Sequence, residues 1–125
     1  LWLISFVEGT RLTPAKLAQA REFARERGLY QPMHLLVPRT KGFAASVQGL
    51  RQHATAVYDV TIGYVQGVPT LWQYALGYAP VIHAHVRRFD LSVVPEGGEA
   101  EWLQVLFQEK DALLEGYYAT GSFPA

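Results

Sequence analysis

The first seven residues, Leu1-Trp2-Leu3-Ile4-Ser5-Phe6-Val7, constrain the fold most. The run is too short for a helix and apolar on both faces, the pattern of a central strand covered on both sides. It ends at Glu8-Gly9-Thr10-Arg11, just before a helix start. In a parallel α/β sheet, ligands sit beyond the carboxyl ends of the strands. A glycine flanked by a carboxylate, a hydroxyl and a guanidinium at such a point suits a phosphate-gripping turn. The chain also opens inside this apparent strand, which predicts a fragment whose N-terminal part is missing.

Strand and helix patterns alternate after the turn. Thr13-Pro14 starts a helix, with Thr13 as N-cap and Pro14 in the first helical position. Leu17, Ala20 and Ala24 form its apolar face, with Phe23 beside it, and Gly28 stops it. Met33 to Val37 reads as a second strand ending at Pro38, which cannot donate to a ladder. Thr40 caps a helix over Lys41 to His53, with Phe43, Val47 and Leu50 as its buried stripe. Thr55 to Val65 reads as a third strand. Ala56, Tyr58, Val60, Ile62 and Tyr64 lie on one face, and Val57, Asp59, Thr61 and Val65 on the other. A short helix over Thr70 to Gly77, a fourth strand over Val81 to Phe89 and a long helix over Glu99 to Tyr118 complete the chain. No repeat, low-complexity tract or second domain interrupts it. The pattern predicts one partial α/β domain over residues 1–125, with a largely parallel sheet and helices on both faces.

Composition removes several function classes. Eleven Lys and Arg balance eleven Asp and Glu, so the net charge is zero and gives no electrostatic case for nucleic-acid binding. There is no cysteine, so disulfides, thiolate catalysis and cysteine-ligated zinc are out. No uninterrupted apolar segment reaches the roughly 18 residues of a membrane span.

Two loops carry the chemistry. In the first, Gly9 can take a positive φ and bring its backbone close to a ligand. Arg11 offers a planar fork of donors that matches phosphate oxygens. Thr10 adds a hydroxyl, and Glu8, acceptor-only when ionised, suits holding Arg11 or a substrate hydroxyl. The second loop, Pro38-Arg39-Thr40-Lys41-Gly42, places two cations at a helix start, where backbone N–H groups attract anions. If the two strands are parallel neighbours, both loops share one rim. An ordinary pair of solvated turns remains the alternative reading of the residues alone.

Phe6-Val7-Glu8-Gly9-Thr10-Arg11 resembles the third conserved block of glycerophospholipid acyltransferases. Val37-Pro38-Arg39-Thr40-Lys41-Gly42-Phe43 is similar to the fourth block of eukaryotic 1-acylglycerol-3-phosphate acyltransferases, most like the plant type. Val57-Tyr58-Asp59-Val60-Thr61 and Glu109-Lys110-Asp111-Ala112-Leu113-Leu114 also resemble segments of that branch. Related lysocardiolipin-type enzymes commonly carry an aspartate where Arg11 stands. The resemblance implies transfer of an acyl group from acyl-CoA to the sn-2 hydroxyl of lysophosphatidic acid, giving phosphatidic acid. It implies a phosphate-gripping role for Glu8, Gly9, Thr10 and Arg11, and a substrate or acyl-chain role for Pro38, Arg39 and Lys41. It implies no metal and no cofactor beyond the acyl-CoA substrate. It also implies an endoplasmic reticulum membrane location, through anchoring segments outside this chain. The family's base is a histidine oriented by an aspartate five residues later, in a block upstream of this turn. The catalytic block is therefore expected before Leu1, and the isolated chain is expected to be inactive. A non-catalytic phospholipid-binding or interaction module is the alternative.

His85 and Asp90 reproduce the spacing of that block as a string, but after the other blocks and on an apparent strand. Residues five apart on a strand point to opposite faces, so they make no dyad. His83 and His85 share a face without a third ligand nearby, and read as packed or solvated. Asp59, alone in an apolar strand, calls for a structural partner. Trp2, Trp72 and Trp102 read as core or interface aromatics.

Overall fold

A computed structural model describes residues 1–125. Its elements are α1 (Pro14–Glu26), α2 (Thr40–Leu50), β1 (Ala56–Tyr64), α3 (Leu71–Ala75), β2 (Ile82–Asp90), a 3-10 turn (Leu91–Val93) and α4 (Glu99–Thr120). Helices and strands are mixed as the patterning requires. Thr13 caps α1 by accepting from the Lys16 N–H at 3.2 Å. Thr70 and Gln73 close a reciprocal capping box on α3. Gly121, at φ 82°, ends α4 in the left-handed conformation.

The sheet departs from expectation. It has two strands, β1 and β2, and they are antiparallel, with Val60 opposite Val86 and Ile62 opposite Ala84. Leu1–Val7 and Met33–Val37 form no strand. The backbone donors that a ladder would use in the second segment go to carboxylates instead. Asp111 accepts from the N–H groups of Met33 and His34, and Glu8 accepts from that of Leu36. The large parallel sheet is therefore not formed by the residues of this chain. Thr40 is also not the cap of α2. It is the first helical residue, Arg39 holds the cap position, and no side chain caps the helix there.

α4 organises the rest. Its buried residues Glu99, Leu103, Leu106, Phe107, Asp111, Leu114 and Tyr117 follow three- and four-residue steps down one face. Leu35 packs with Leu103, Leu106, Phe107 and Leu114, and Val7, Phe43, Phe89, Trp102 and Phe123 border that cluster. Val47, Leu91 and Val94 form a second cluster under α2. Trp102 joins the two, stacked on Phe43 at 5.9 Å and edge-on to Phe89 at 5.3 Å.

The hairpin packs on α4 with its polar face. Asp59, Thr61 and Gly63 are buried, while Tyr58, Val60 and Ile62 are exposed. Gly63 is required there, because a Cβ would lie 2.4 Å from the Tyr117 ring. Asp59 is paired as a buried carboxylate must be, with Arg87 at 2.9 Å and Lys110 at 2.8 Å. Lys110 also donates to the Val60 carbonyl at 2.7 Å, fixing β1 against the helix.

Candidate functional site

The two cationic loops meet. The Arg39 N–H donates to the Val7 carbonyl at 2.7 Å. Gly9, at φ 71°, passes so close under the Arg39 side chain that a Cβ would lie 3.0 Å from its Nε. Both the left-handed backbone and this approach favour glycine at that position. The turn is closed by the Gly9 N–H donating to the Phe6 carbonyl at 3.0 Å.

Glu8 joins the loops from below. Its carboxylate accepts from the Leu36 N–H at 2.8 Å and makes no bond with Arg11. Partial burial pushes its pKa up, against the opposing pull of the Leu36 N–H and of Lys110. Its place in the structure is thus a brace between the loops. Thr10 accepts from the Lys16 ammonium, which spends the hydroxyl on α1.

Arg11, Arg39 and Lys41 are exposed, and their side chains make no hydrogen bond or salt bridge. With α2 lacking a side-chain cap, its first N–H groups add partial positive charge beside Arg39. Three unpaired cations and an open helix start can accept an anion such as a phosphate monoester. Behind Pro38 lies a mostly apolar cavity of about 250 Å³, bordered by Leu29, Leu35, Leu36, Val37 and Phe107. A wider polar depression of about 930 Å³, between the end of α2 and the 3-10 turn, contains none of the predicted site residues.

The loop carrying Leu36 is itself held by α4. Asp111 accepts from the Met33 N–H at 3.0 Å, the His34 N–H at 2.7 Å and the Tyr30 hydroxyl at 2.8 Å. That last bond, above all, raises the Tyr30 pKa, because it favours the protonated phenol. Sequence reasoning missed this clamp. A signal was present: Asp111 sits on the apolar stripe of α4, four residues from Phe107 and three from Leu114.

A family model described as the acyltransferase C-terminus matches residues 76–125. The chain is 43% identical over 127 residues to a probable 1-acyl-sn-glycerol-3-phosphate acyltransferase of Arabidopsis thaliana, covering 99% of this chain and 34% of that protein. The chain is a relative of the 1-acyl-sn-glycerol-3-phosphate acyltransferases. The delta enzyme of Homo sapiens is likewise 43% identical, over 94% of this chain and 32% of its own length. Plant and human acyltransferases thus resemble the chain to the same degree. The chain spans about a third of the length of the curated relatives it matches. No solved structure matches it.

The histidines of this acyltransferase relative are placed apart from the two loops. The His85 ring packs near Phe123, with centroids 5.5 Å apart, while Asp90 accepts from the Ser92 N–H at 3.0 Å. These two side chains engage different partners and do not meet. His83 Nδ1 lies 3.3 Å from the Tyr117 hydroxyl, and His34 pairs with Glu115. No group of three His, Asp or Glu lies together as a metal site.

Proposed function

We propose that the chain is the substrate-holding part of an acyltransferase that moves an acyl group from acyl-CoA to the sn-2 hydroxyl of lysophosphatidic acid. The observation that carries this reading is the junction of the two cationic loops through Arg39, Gly9 and Val7. Gly9, Arg11, Arg39 and Lys41 then receive the phosphate of the acceptor lipid, and Glu8 keeps the loops in register. The names of the relatives support the substrate: they are 1-acyl-sn-glycerol-3-phosphate acyltransferases. The apolar cavity behind Pro38 suits the first methylenes of an acyl chain.

The catalytic base, a histidine oriented by an aspartate, is assigned to sequence preceding Leu1. There it takes the proton of the sn-2 hydroxyl as that oxygen attacks the thioester carbonyl, and coenzyme A thiolate leaves. In that longer protein the exposed 1–7 segment and the 33–37 segment join further strands in a parallel sheet. Segments outside this chain anchor the whole to the endoplasmic reticulum membrane. Within this chain no helix is long and apolar enough to cross a membrane.

The test is kinetic. In a protein carrying the upstream block, Arg11→Ala and Arg39→Ala raise KM for lysophosphatidic acid about 10- to 100-fold, the scale of a lost charge-assisted hydrogen bond. KM for acyl-CoA stays within twofold. An effect on acyl-CoA alone would assign these arginines to the donor and overturn the reading. A non-catalytic phospholipid-binding module is the second reading, suggested by the placement of His34, His83 and His85 on partners other than the two loops. It predicts the same phosphate binding with no acyl transfer even when the upstream block is present.

A further inference from the structure

Between Asp59 and Arg87 the sequence contains no Asp, Glu, Lys or Arg. This uncharged stretch covers most of the hairpin and the connection at its tip, residues 65–81. Every residue from 71 to 79 is exposed, and α3 buries none of its side chains. The exposed groups are large: Val68 69%, Leu71 72%, Trp72 73%, Tyr74 67% and Leu76 71%. A contiguous apolar surface of this kind on a folded chain marks an interaction site.

The hydrogen bonds of the tip close on themselves. The N–H groups of Gly67, Tyr74, Leu76, Gly77 and Tyr78 donate to carbonyls of Tyr64, Thr70, Trp72, Tyr74 and Gln73. Thr70 and Gln73 exchange their capping bonds, and the Tyr78 hydroxyl donates to Gln66 Oε1 at 3.0 Å. The tip is thus folded by bonds among its own residues and those of the adjoining strand ends, without support from the helices of the core. A Trp and two Tyr beside aliphatic side chains are the composition favoured at the boundary between headgroups and acyl chains. The charge pattern agrees. The first charge on the exposed face leading back from the tip along β2 is Arg88, which is exposed and makes no salt bridge. A cation at that place complements lipid phosphates.

We propose that the 65–81 tip inserts into a lipid surface at headgroup level and that the exposed face of the hairpin lies along that surface, so that Arg88, opposite Tyr58 on that face, meets the phosphates. This contact belongs to the chain itself and does not depend on the phosphate grip at Arg11 and Arg39. It would hold the substrate-binding loops of a lipid-modifying protein close to the surface on which an amphiphilic acceptor resides.

The probe is Trp72 fluorescence in the full chain carrying Trp2→Phe, read as the difference from a chain carrying both Trp2→Phe and Trp72→Phe in which Trp102 alone emits, with phosphatidylcholine vesicles in which brominated lipid serves as quencher. Emission is expected to shift to shorter wavelength and to be quenched as vesicles are added. Leu71→Ser with Leu76→Ser is expected to weaken partitioning at least tenfold. Arg88→Gln is expected to leave neutral vesicles unaffected and to lower affinity for vesicles containing phosphatidylglycerol about fivefold. Val105→Ser, exposed on α4 on the other side of the hairpin, keeps the quenching and serves as the control. Absence of quenching in both kinds of vesicle would overturn the proposal. So would an emission shift that follows protein concentration instead of lipid, which would assign the tip to a second copy of the chain. Binding to these vesicles, which contain no lysophosphatidic acid, separates this result from success or failure of the substrate reading.

Discussion

At the scale of single residues, Glu8 shows how a side chain's neighbours reassign it. Its type and position suggested a partner in Arg11 or a substrate hydroxyl. Its actual partner, the Leu36 N–H, comes from a loop distant in sequence and could not be read from the turn alone. Because burial raises its pKa, ionisation works against the folded state. This contribution to stability is fully present below the unfolded pKa, near 4.5, and is lost as pH rises through the higher folded value. Glu8→Gln keeps a carbonyl acceptor for Leu36 and cannot ionise. Urea midpoints measured across this window should therefore show the variant gaining on the wild type as pH rises. A gap widening in favour of the wild type would mean that the carboxylate is stabilised by folding and that the electrostatic account is wrong.

At the scale of elements, the helices were legible because their periodicity, caps and stops are local. Thr13-Pro14, the Thr70–Gln73 box and Gly121 act where the sequence places them. β1 and β2 were legible for the same reason, but their pairing was not. An apolar run reports a preference for burial, and it does not name the neighbour that supplies the ladder. In residues 33–36 the neighbours turned out to be the carboxylates of Asp111 and Glu8. The convergence of the two loops was anticipated, but by way of adjacent parallel strands. It is achieved here by the Arg39–Val7 bond and the Asp111 clamp. That clamp makes α4 the support of the site. Removing it in Asp111→Ala leaves two backbone donors and a phenol without their acceptor, at a cost of about 3 kcal/mol. Hydrogen exchange should also quicken at the Met33 and His34 amides, ahead of those in the middle of α4. Asp111→Asn, which retains an acceptor oxygen, should lose about 1 kcal/mol. Equal losses in the two variants would show that the carboxylate charge, and not its acceptor geometry, holds the loop.

At the scale of the whole molecule, the chain is arranged to leave apolar surface open. The sheet gives its polar face to α4 and presents Tyr58, Val60 and Ile62 outward. Leu1, Trp2, Ile4 and Phe6 are exposed nearby, with Trp2 5.8 Å from the Tyr58 ring. Such surfaces suit a domain that completes its sheet with further chain, consistent with relatives about three times as long. Within this architecture the central claim is that Gly9, Arg11, Arg39 and Lys41 form one phosphate grip, braced by Glu8. Calorimetric titration of the chain with lysophosphatidic acid, against a monoacylglycerol of the same acyl length, tests it most directly. The account predicts that the phosphate improves affinity at least tenfold, and that Arg11→Ala and Arg39→Ala each erase most of this advantage while leaving monoacylglycerol binding unchanged. Equal affinity for the two lipids, or a phosphate advantage that survives both substitutions, would contradict it.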